Sequence, residues 1–328
     1  MPKNHTHVSQ LMRYVAVSIS VLFVSTIFVG CSGSAGNSCQ AVGSYKFMMT
    51  FHSCDTAAVD CSNPKNHEVQ LAGSDDGVSW SLLDEFTSIA GSVPDIVSYN
   101  DLLYLFHTGT EAWATLNSCL NLVDSGTTDL NSSTDTGGFV DPSMIVSGSD
   151  LLMFYLPGVI GGNPAGCETY PCTKEIHSAV SDGGSPSSFT QIDGNRASKE
   201  LSAGGFSDPD ILKMTSGTYI LYVSNGQNTM AYTGSDINGT FSGPSDISVG
   251  SGGVPGAIES DDNTVWVYVT TSVNGIEVIR RGTSSDGVSL VASGEYETVI
   301  DHTISPGFTS TTSVSSPSII RWPSDWIQ

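Results

Sequence analysis

The chain has 328 residues, with 33 Asp+Glu against 11 Lys+Arg and a formal net charge of −22. That balance excludes nucleic acid and anionic membrane surfaces as partners, because both are met by basic footprints. Gly, Ser and Thr are abundant, and many of the acids fall in Ser/Gly/Asp stretches of the kind that form solvated turns.

Lys3 and Arg13 precede an apolar run, Tyr14 to Val29, that is broken only by small polar residues and ends in Phe28-Val29-Gly30-Cys31. A basic start, a short apolar core and small residues before a cut site predict a secretory signal over residues 1–30; the run is short for a membrane span. Cys31 directly after Val29-Gly30 resembles a bacterial lipobox, with Phe28 where Leu is usual. The resemblance implies cleavage before Cys31 and lipidation of its thiol, and Ser32 implies sorting to an outer membrane. Several acyl chains anchor firmly where one binds weakly. The expectation is an exported lipoprotein, periplasmic or extracellular, touching the membrane only through its lipid. Residues 31–43 would be the linker. Loss of residues 1–30 removes Lys3 and Arg13 and no acid, leaving 9 basic against 33 acidic residues, a net charge of −24.

With Cys31 assigned to lipid, Cys39, Cys54, Cys61, Cys119, Cys167 and Cys172 remain. Six cysteines in an exported chain read as disulfides, with fifteen possible connectivities. Cys54/Cys61 and Cys167/Cys172 are close enough to staple single loops, and Cys39/Cys119 would tie down the N-terminus. No CxxC pair is present, so no structural zinc site is expected.

After Cys31 there is no long helical pattern. Apolar runs recur instead, each opening on a proline: Val93-Pro94-Asp95, Asp141-Pro142-Ser143, Asp208-Pro209-Asp210, Val254-Pro255-Gly256 and Ser316-Pro317-Ser318. Twice the opening is extended to Gly-Gly-Phe-x-Asp-Pro, at Gly137–Pro142 and Gly204–Pro209. Proline is tolerated at the first residue of a strand, which would explain its fixed place. A second run follows each of the first four openings: 102–108, 151–157, 218–224 and 264–270, all rich in aromatic and β-branched residues. Asp-Gly turns at Asp76-Gly77, Asp182-Gly183 and Asp286-Gly287 supply the positive φ that a tight hairpin needs. Four strands per unit, at a period of roughly 45–65 residues, mean propeller blades. Residues 45–53 look like a second strand without a first, and Pro317 to Trp322 like a first strand without a second. One blade built from both ends makes five and leaves no open sheet edge. The predicted fold is thus an all-β, five-bladed β-propeller over residues 44–322, with a tail at 323–328.

Five blades, Asp-Pro at inner-strand starts and S-x-D-G-x-x-W hairpins resemble the five-bladed propeller glycosidases, a clan that includes arabinanases, β-xylosidases, α-arabinofuranosidases and invertases. The resemblance covers nearly all of residues 42–322. It implies a hydrolase of oligo- or polysaccharide with axial carboxylates: one Asp as base or nucleophile, one Asp tuning the acid, and a Glu as general acid; a monomer that meets carbohydrate is the expectation. In ring order those axial positions read Ser316, Val93, Asp141, Asp208 and Val254. Asp141 falls in the tuning position and Asp208 where the acid belongs, one methylene short. Ser316 stands where the base should be, and a hydroxyl is no base without a proton acceptor beside it.

Asp141 and Asp208 are therefore the candidate catalytic residues. His52 and His107, in matching Phe-His contexts, are candidates to bind a sugar hydroxyl, as are Asp95 and Asp210 after their prolines. Glu111 and Trp113 belong to a loop expected on the rim. Phe139 and Phe206 are candidate stacking walls. Loops after the second strands, holding Cys54, Cys61, Cys119, Cys167 and Cys172, are expected on the pocket face and the Asp-Gly hairpins opposite. No cofactor or catalytic metal is expected, a structural calcium ion remaining open. The alternative reading is a non-catalytic propeller that binds glycan or protein at the cell surface.

Overall fold

The computed structural model describes residues 45–108, 113–159 and 163–326. The signal, the linker, Cys31, Cys39 and Glu111 lie outside them. The first blade contributes β1 (Phe47–Asp55), β2 (Glu68–Ser74), β3 (Ser81–Leu82) and β4 (Ile89–Ala90). The second holds β5 (Ser92–Tyr99), β6 (Leu102–Thr108), β7 (Trp113–Leu116) and β8 (Leu122–Gly126). In the third, β9 (Asp129–Asn131) lies parallel outside β10 (Phe139–Ser147), β11 (Asp150–Pro157), β12 (Cys172–Ser181) and β13 (Ser188–Leu201). The fourth is β14 (Ser207–Lys213), β15 (Tyr219–Asn225), β16 (Asn228–Gly234) and β17 (Ser242–Ser248). The fifth is β18 (Gly253–Glu259), β19 (Val265–Val273), β20 (Ile276–Ser284) and β21 (Glu297–Ile300). Last, β22 (Thr312–Arg321) pairs antiparallel with β1, from Phe47↔Arg321 to Asp55↔Thr312, as the inner strand of the first blade.

Five apolar clusters fill the five interfaces between blades. Along β1, Met48 faces the second blade while Phe47 and Met49 face the fifth. Both sides of a second strand are therefore buried, which is why these runs are continuously apolar rather than alternating. The tail adds to the same packing: Trp322 N–H donates to Lys46 O at 2.9 Å, and Trp326 packs against the cluster between the first two blades.

The Asp-Gly hairpins join third to fourth strands. In the first, Asp76 Oδ1 accepts the amides of Val78 and Ser79 at 2.8 and 2.7 Å, and Ser74 Oγ accepts that of Gly77 at 2.9 Å. The Asp286 turn repeats the pattern. These two turns are latched by the preceding blade in the ring: Tyr268 Oη donates to Gly77 O, and Tyr222 Oη to Gly287 O, both at 2.8 Å. These aspartates are structural, as their self-contained hydrogen bonding shows.

Two loop staples are present, Cys54–Cys61 and Cys167–Cys172. Cys119 is disulfide-bonded too. It sits between β7 and β8, in the third-to-fourth-strand turn, and so shares the face of the Asp-Gly hairpins rather than the rim expected for it.

Each inner strand is interrupted by a bulge. Between Ser92↔Thr108 and Asp95↔Phe106, Val93 and Pro94 oppose the single residue His107, and the same two-against-one count recurs in the other four blades. The prolines therefore lie inside their strands, not at the first residue. An edge strand tolerates them there because a bulge leaves the position without a ladder partner. Every residue before such a proline is left-handed: Val93 φ 46°, Asp141 51°, Asp208 50°, Val254 49° and Ser316 58°. That is a costly conformation for a residue with a Cβ, and the surrounding sheet must impose it. At the fifth blade, a Cβ on Gly256 would lie 2.2 Å from Pro317 O, a backbone atom of the neighbouring blade. Gly256→Ala should therefore destabilise the ring by about 1–3 kcal/mol, read as a lower midpoint in denaturant unfolding.

Candidate functional site

The bulges create two rings of side chains around the axis. The residue before each proline forms the outer ring at the mouth; the residue after it forms a deeper one. The deeper ring ties blades together. Asp95 Oδ2 accepts Met144 N–H at 2.8 Å, Ser143 Oγ accepts Ile211 N–H at 3.1 Å, Asp210 Oδ2 accepts Ala257 N–H at 3.0 Å, and Ser318 Oγ accepts Ile96 N–H at 3.2 Å. Each side chain closes onto the backbone of the next blade, with Gly256 the one position that has no side chain to do so. Ser318 Oγ also donates to Asp95 Oδ1 at 2.8 Å. Burial pushes the Asp95 carboxyl up to about 7, against the pull of these hydrogen bonds. Burial and then the nearby Asp95 hold Asp210 well above the usual carboxylate range. Asp95 and Asp210 are thus clamps between blades, committed to backbone amides. Glu259, at the far end of β18, is likewise committed to Thr215 N–H and Oγ1 at 2.7 and 2.9 Å.

The mouth ring carries Asp141 and Asp208 on successive blades, and both remain partly accessible. Burial raises Asp141 well above the ordinary range, and the neighbouring Asp208 raises it further, while the Asp208 backbone N–H opposes the rise. Burial also raises Asp208; the Ser207 hydroxyl, which donates to Oδ2 at 2.6 Å, opposes the rise, and the charge of Glu277 adds to it. Two carboxyls crowded together do not both ionise freely, so one keeps its proton longer than the other. Ser316 is buried, and its N–H donates to Thr270 Oγ1 at 3.0 Å. The cavity enclosed by the two rings has a volume of about 20 Å³, room for a single water.

His52 accepts Val93 N–H on Nδ1 at 3.2 Å and stacks on His67, with ring centroids 4.2 Å apart. Burial first, and His67 second, lower its pKa to about 3, so it is a neutral acceptor that holds the bulge of the second blade. His67 bridges Ser92 Oγ at 2.7 Å and Cys61 O at 2.8 Å, which connects the Cys54–Cys61 loop to the same bulge. The two Phe-His contexts prove to be one residue out of step: His52 pairs with Ser315, whereas His107 opposes a bulge and its counterpart in β1 is Phe51. With period-2 alternation, that offset turns the two histidines to opposite faces of their sheets.

The aromatic candidates are built into the interfaces. Phe206 is 0 % exposed and meets Tyr232 edge-on, so it offers no face to a ligand. Phe139 packs edge-on against Tyr155 between the second and third blades. Trp113 is buried in the same cluster, its indole N–H donating to Thr127 O at 3.2 Å. Glu111 lies outside the described residues.

A network that the sequence reading did not single out braces the segment leading to Asp141. Asp135 Oδ2 meets Tyr155 Oη at 2.6 Å, His177 Nδ1 at 2.7 Å and Gln191 Nε2 at 3.0 Å, and His177 Nε2 meets Glu175 Oε2 at 3.2 Å. The residues come from β11, β12, β13 and a loop, so no local spacing announces them.

No protein-family profile matches the sequence, and no curated protein matches it. Solved structures match in fold. The GH43_1 enzyme of Xanthomonas citri, in complex with xylose, has a TM-score of 0.51 at 13% identity, over 75% of this chain and 85% of that one. An endo-arabinase of Bacteroides thetaiotaomicron has a TM-score of 0.48 at 16% identity, over 64% and 81%. An α-L-arabinofuranosidase of Clostridium thermocellum has a TM-score of 0.47 at 16% identity, over 66% and 75%. At such identities the likeness is one of fold. The chain is an all-β, five-bladed propeller with a glycoside hydrolase-like fold.

Proposed function

We propose that this protein cleaves a glycosidic bond at the mouth of its axis, with Asp141 and Asp208 as the carboxyl pair. The observation that supports this is their inequivalence. Neighbouring blades present both to one mouth, burial raises both, and Ser207 favours the charged form of Asp208 alone. Glycoside hydrolysis needs one protonated carboxyl, to donate to the leaving oxygen, and one carboxylate, to activate water or attack carbon. Environments that push two such groups apart assign those roles: Asp141 is the acid and Asp208 the base or nucleophile, the reverse of what the resemblance implies, which puts the acid at Asp208 and the tuning residue at Asp141. Asp95 and Asp210 are excluded by their clamps. Substrates to try first are arabinose- and xylose-containing oligosaccharides, the sugars named for the structures of similar fold. Hydrolysis of aryl glycosides that is lost on substitution of the pair supports the reading; hydrolysis that survives overturns it.

The alternative is a propeller that binds glycan without cleaving it. Ser316 favours it, since a buried hydroxyl stands where the resemblance calls for a third carboxylate. Glycan retention without turnover by the unaltered protein would establish this second reading. Export and lipidation at Cys31 belong to the same proposal, on the strength of the residue 1–31 pattern. The mature N-terminus should be an acylated Cys31 by mass spectrometry, and an intact Met1 or an unmodified thiol would contradict it.

A further inference from the structure

A cleft of about 450 Å³ lies away from the axis, between the outermost strands of the first and fifth blades. Its wall on one side is Trp80, Leu82 and Asp84; on the other it is Thr298, Asp301 and Ser305. Trp80 is half-buried and rigidly held: its indole N–H donates to Gly77 O at 3.2 Å, and its ring meets Tyr268 edge-on with centroids 6.0 Å apart. With that N–H committed inside, what the indole presents to the cleft is apolar ring surface. Asp301 is fixed as well, because Oδ1 accepts both Thr303 N–H at 2.8 Å and Thr303 Oγ1 at 2.6 Å. Its Oδ2 accepts from no group among the described residues and can accept from a ligand. Asp84 is exposed at the rim.

We propose that this cleft is a second, non-catalytic saccharide site that takes a stretch of neutral polysaccharide. A carbohydrate offers C–H faces to a fixed aromatic ring and hydroxyl donors to carboxylates, which can only accept. The two carboxylates repel anions, and no group of three or more metal-ligating residues occurs among the described residues, which argues against a bare cation. The cleft volume lies within the usual range for ligand sites. The ligand class rests on this lining alone and not on hydrolysis at the axis.

The test is native affinity electrophoresis of the full chain through gels containing soluble arabinan, arabinoxylan or galactan. Retardation by at least one polysaccharide is expected, and it should persist in the Asp141→Asn/Asp208→Asn double variant. Trp80→Ala and Asp84→Ala should each weaken it roughly 2–10-fold, the range that follows from one aromatic or polar contact. Trp80 packs on Tyr268, so if Trp80→Ala lowers the melting temperature, the exposed Asp84→Ala decides. Retardation unchanged in Asp84→Ala, retardation abolished by the axial double variant alone, or no retardation by any of the three polymers would overturn the proposal. Hydrolysis of small aryl glycosides reads the axial site separately.

Discussion

Replacing Asp141 and Asp208 together by asparagine should lower glycoside hydrolysis by about 10²–10⁴-fold and raise the unfolding midpoint at neutral pH. Both effects have one cause. The pair is a crowded, desolvated set of like charges, which costs stability whenever both groups ionise. Asparagine keeps an oxygen that can accept Asp208 N–H, or the Ser207 hydroxyl, while removing the charge and the acidic proton. Loss of activity with a gain in stability is the signature of a functional site held at a structural cost. The single variants separate the roles. Asp141→Asn should spare substrates whose leaving group needs no proton, such as dinitrophenyl glycosides, far more than it spares natural oligosaccharides. Asp208→Asn should slow both kinds alike. Equal losses on the two substrates in Asp141→Asn would remove it from the acid role, and undiminished turnover in the double variant would remove the pair from the reaction.

The second expected result is that the propeller is more stable near pH 5 than near pH 8. The Asp95 carboxyl titrates at about 7 in the folded chain against 3.8 for an ordinary Asp. The folded state therefore binds that proton more tightly than the unfolded state between those two values. Its contribution is fully present below about pH 4 and is lost as pH rises through about 7, a change on the order of 4 kcal/mol. Asp141, Asp208 and Asp210 are shifted in the same direction. His52 opposes them: its pKa is lowered from 6.5 to about 3, so its contribution grows as pH rises through that window. Four carboxyls outweigh one imidazole, and the net charge of −22 adds repulsion as acids ionise. Thermal unfolding between pH 5 and 8 reads the sum. Asp95→Asn should flatten that slope, since an amide oxygen still accepts Met144 N–H without charge, whereas Asp95→Ala should lower stability throughout by leaving that amide without a partner. A midpoint that rises from pH 5 to pH 8 would contradict the assignment of buried, proton-holding clamps.

The sequence by itself determined the features that local chemistry controls. Apolar runs mark the strands, Asp-Gly marks the hairpins, and the recurring proline marks the inner strands, although the bulge that puts it inside the strand rather than at its first residue came only from the tertiary structure. Spacing singled out the two short disulfides among the fifteen connectivities, and the structure forms both. Even the mouth ring was legible, because every member stands directly before its proline. The tertiary structure decided what each side chain does there. A bulge places two residues against one, so alike contexts around His52 and His107 fall out of step and turn to opposite faces. Asp95 and Asp210 sit two residues after mouth-ring positions, Val93 and Asp208, yet serve as clamps, because the amides they accept belong to the next blade, some 47–49 residues away. Phe139 and Phe206 are drawn into the interfaces for the same reason: burial is set by the neighbouring blade, and sequence periodicity carries no information about which neighbour that is.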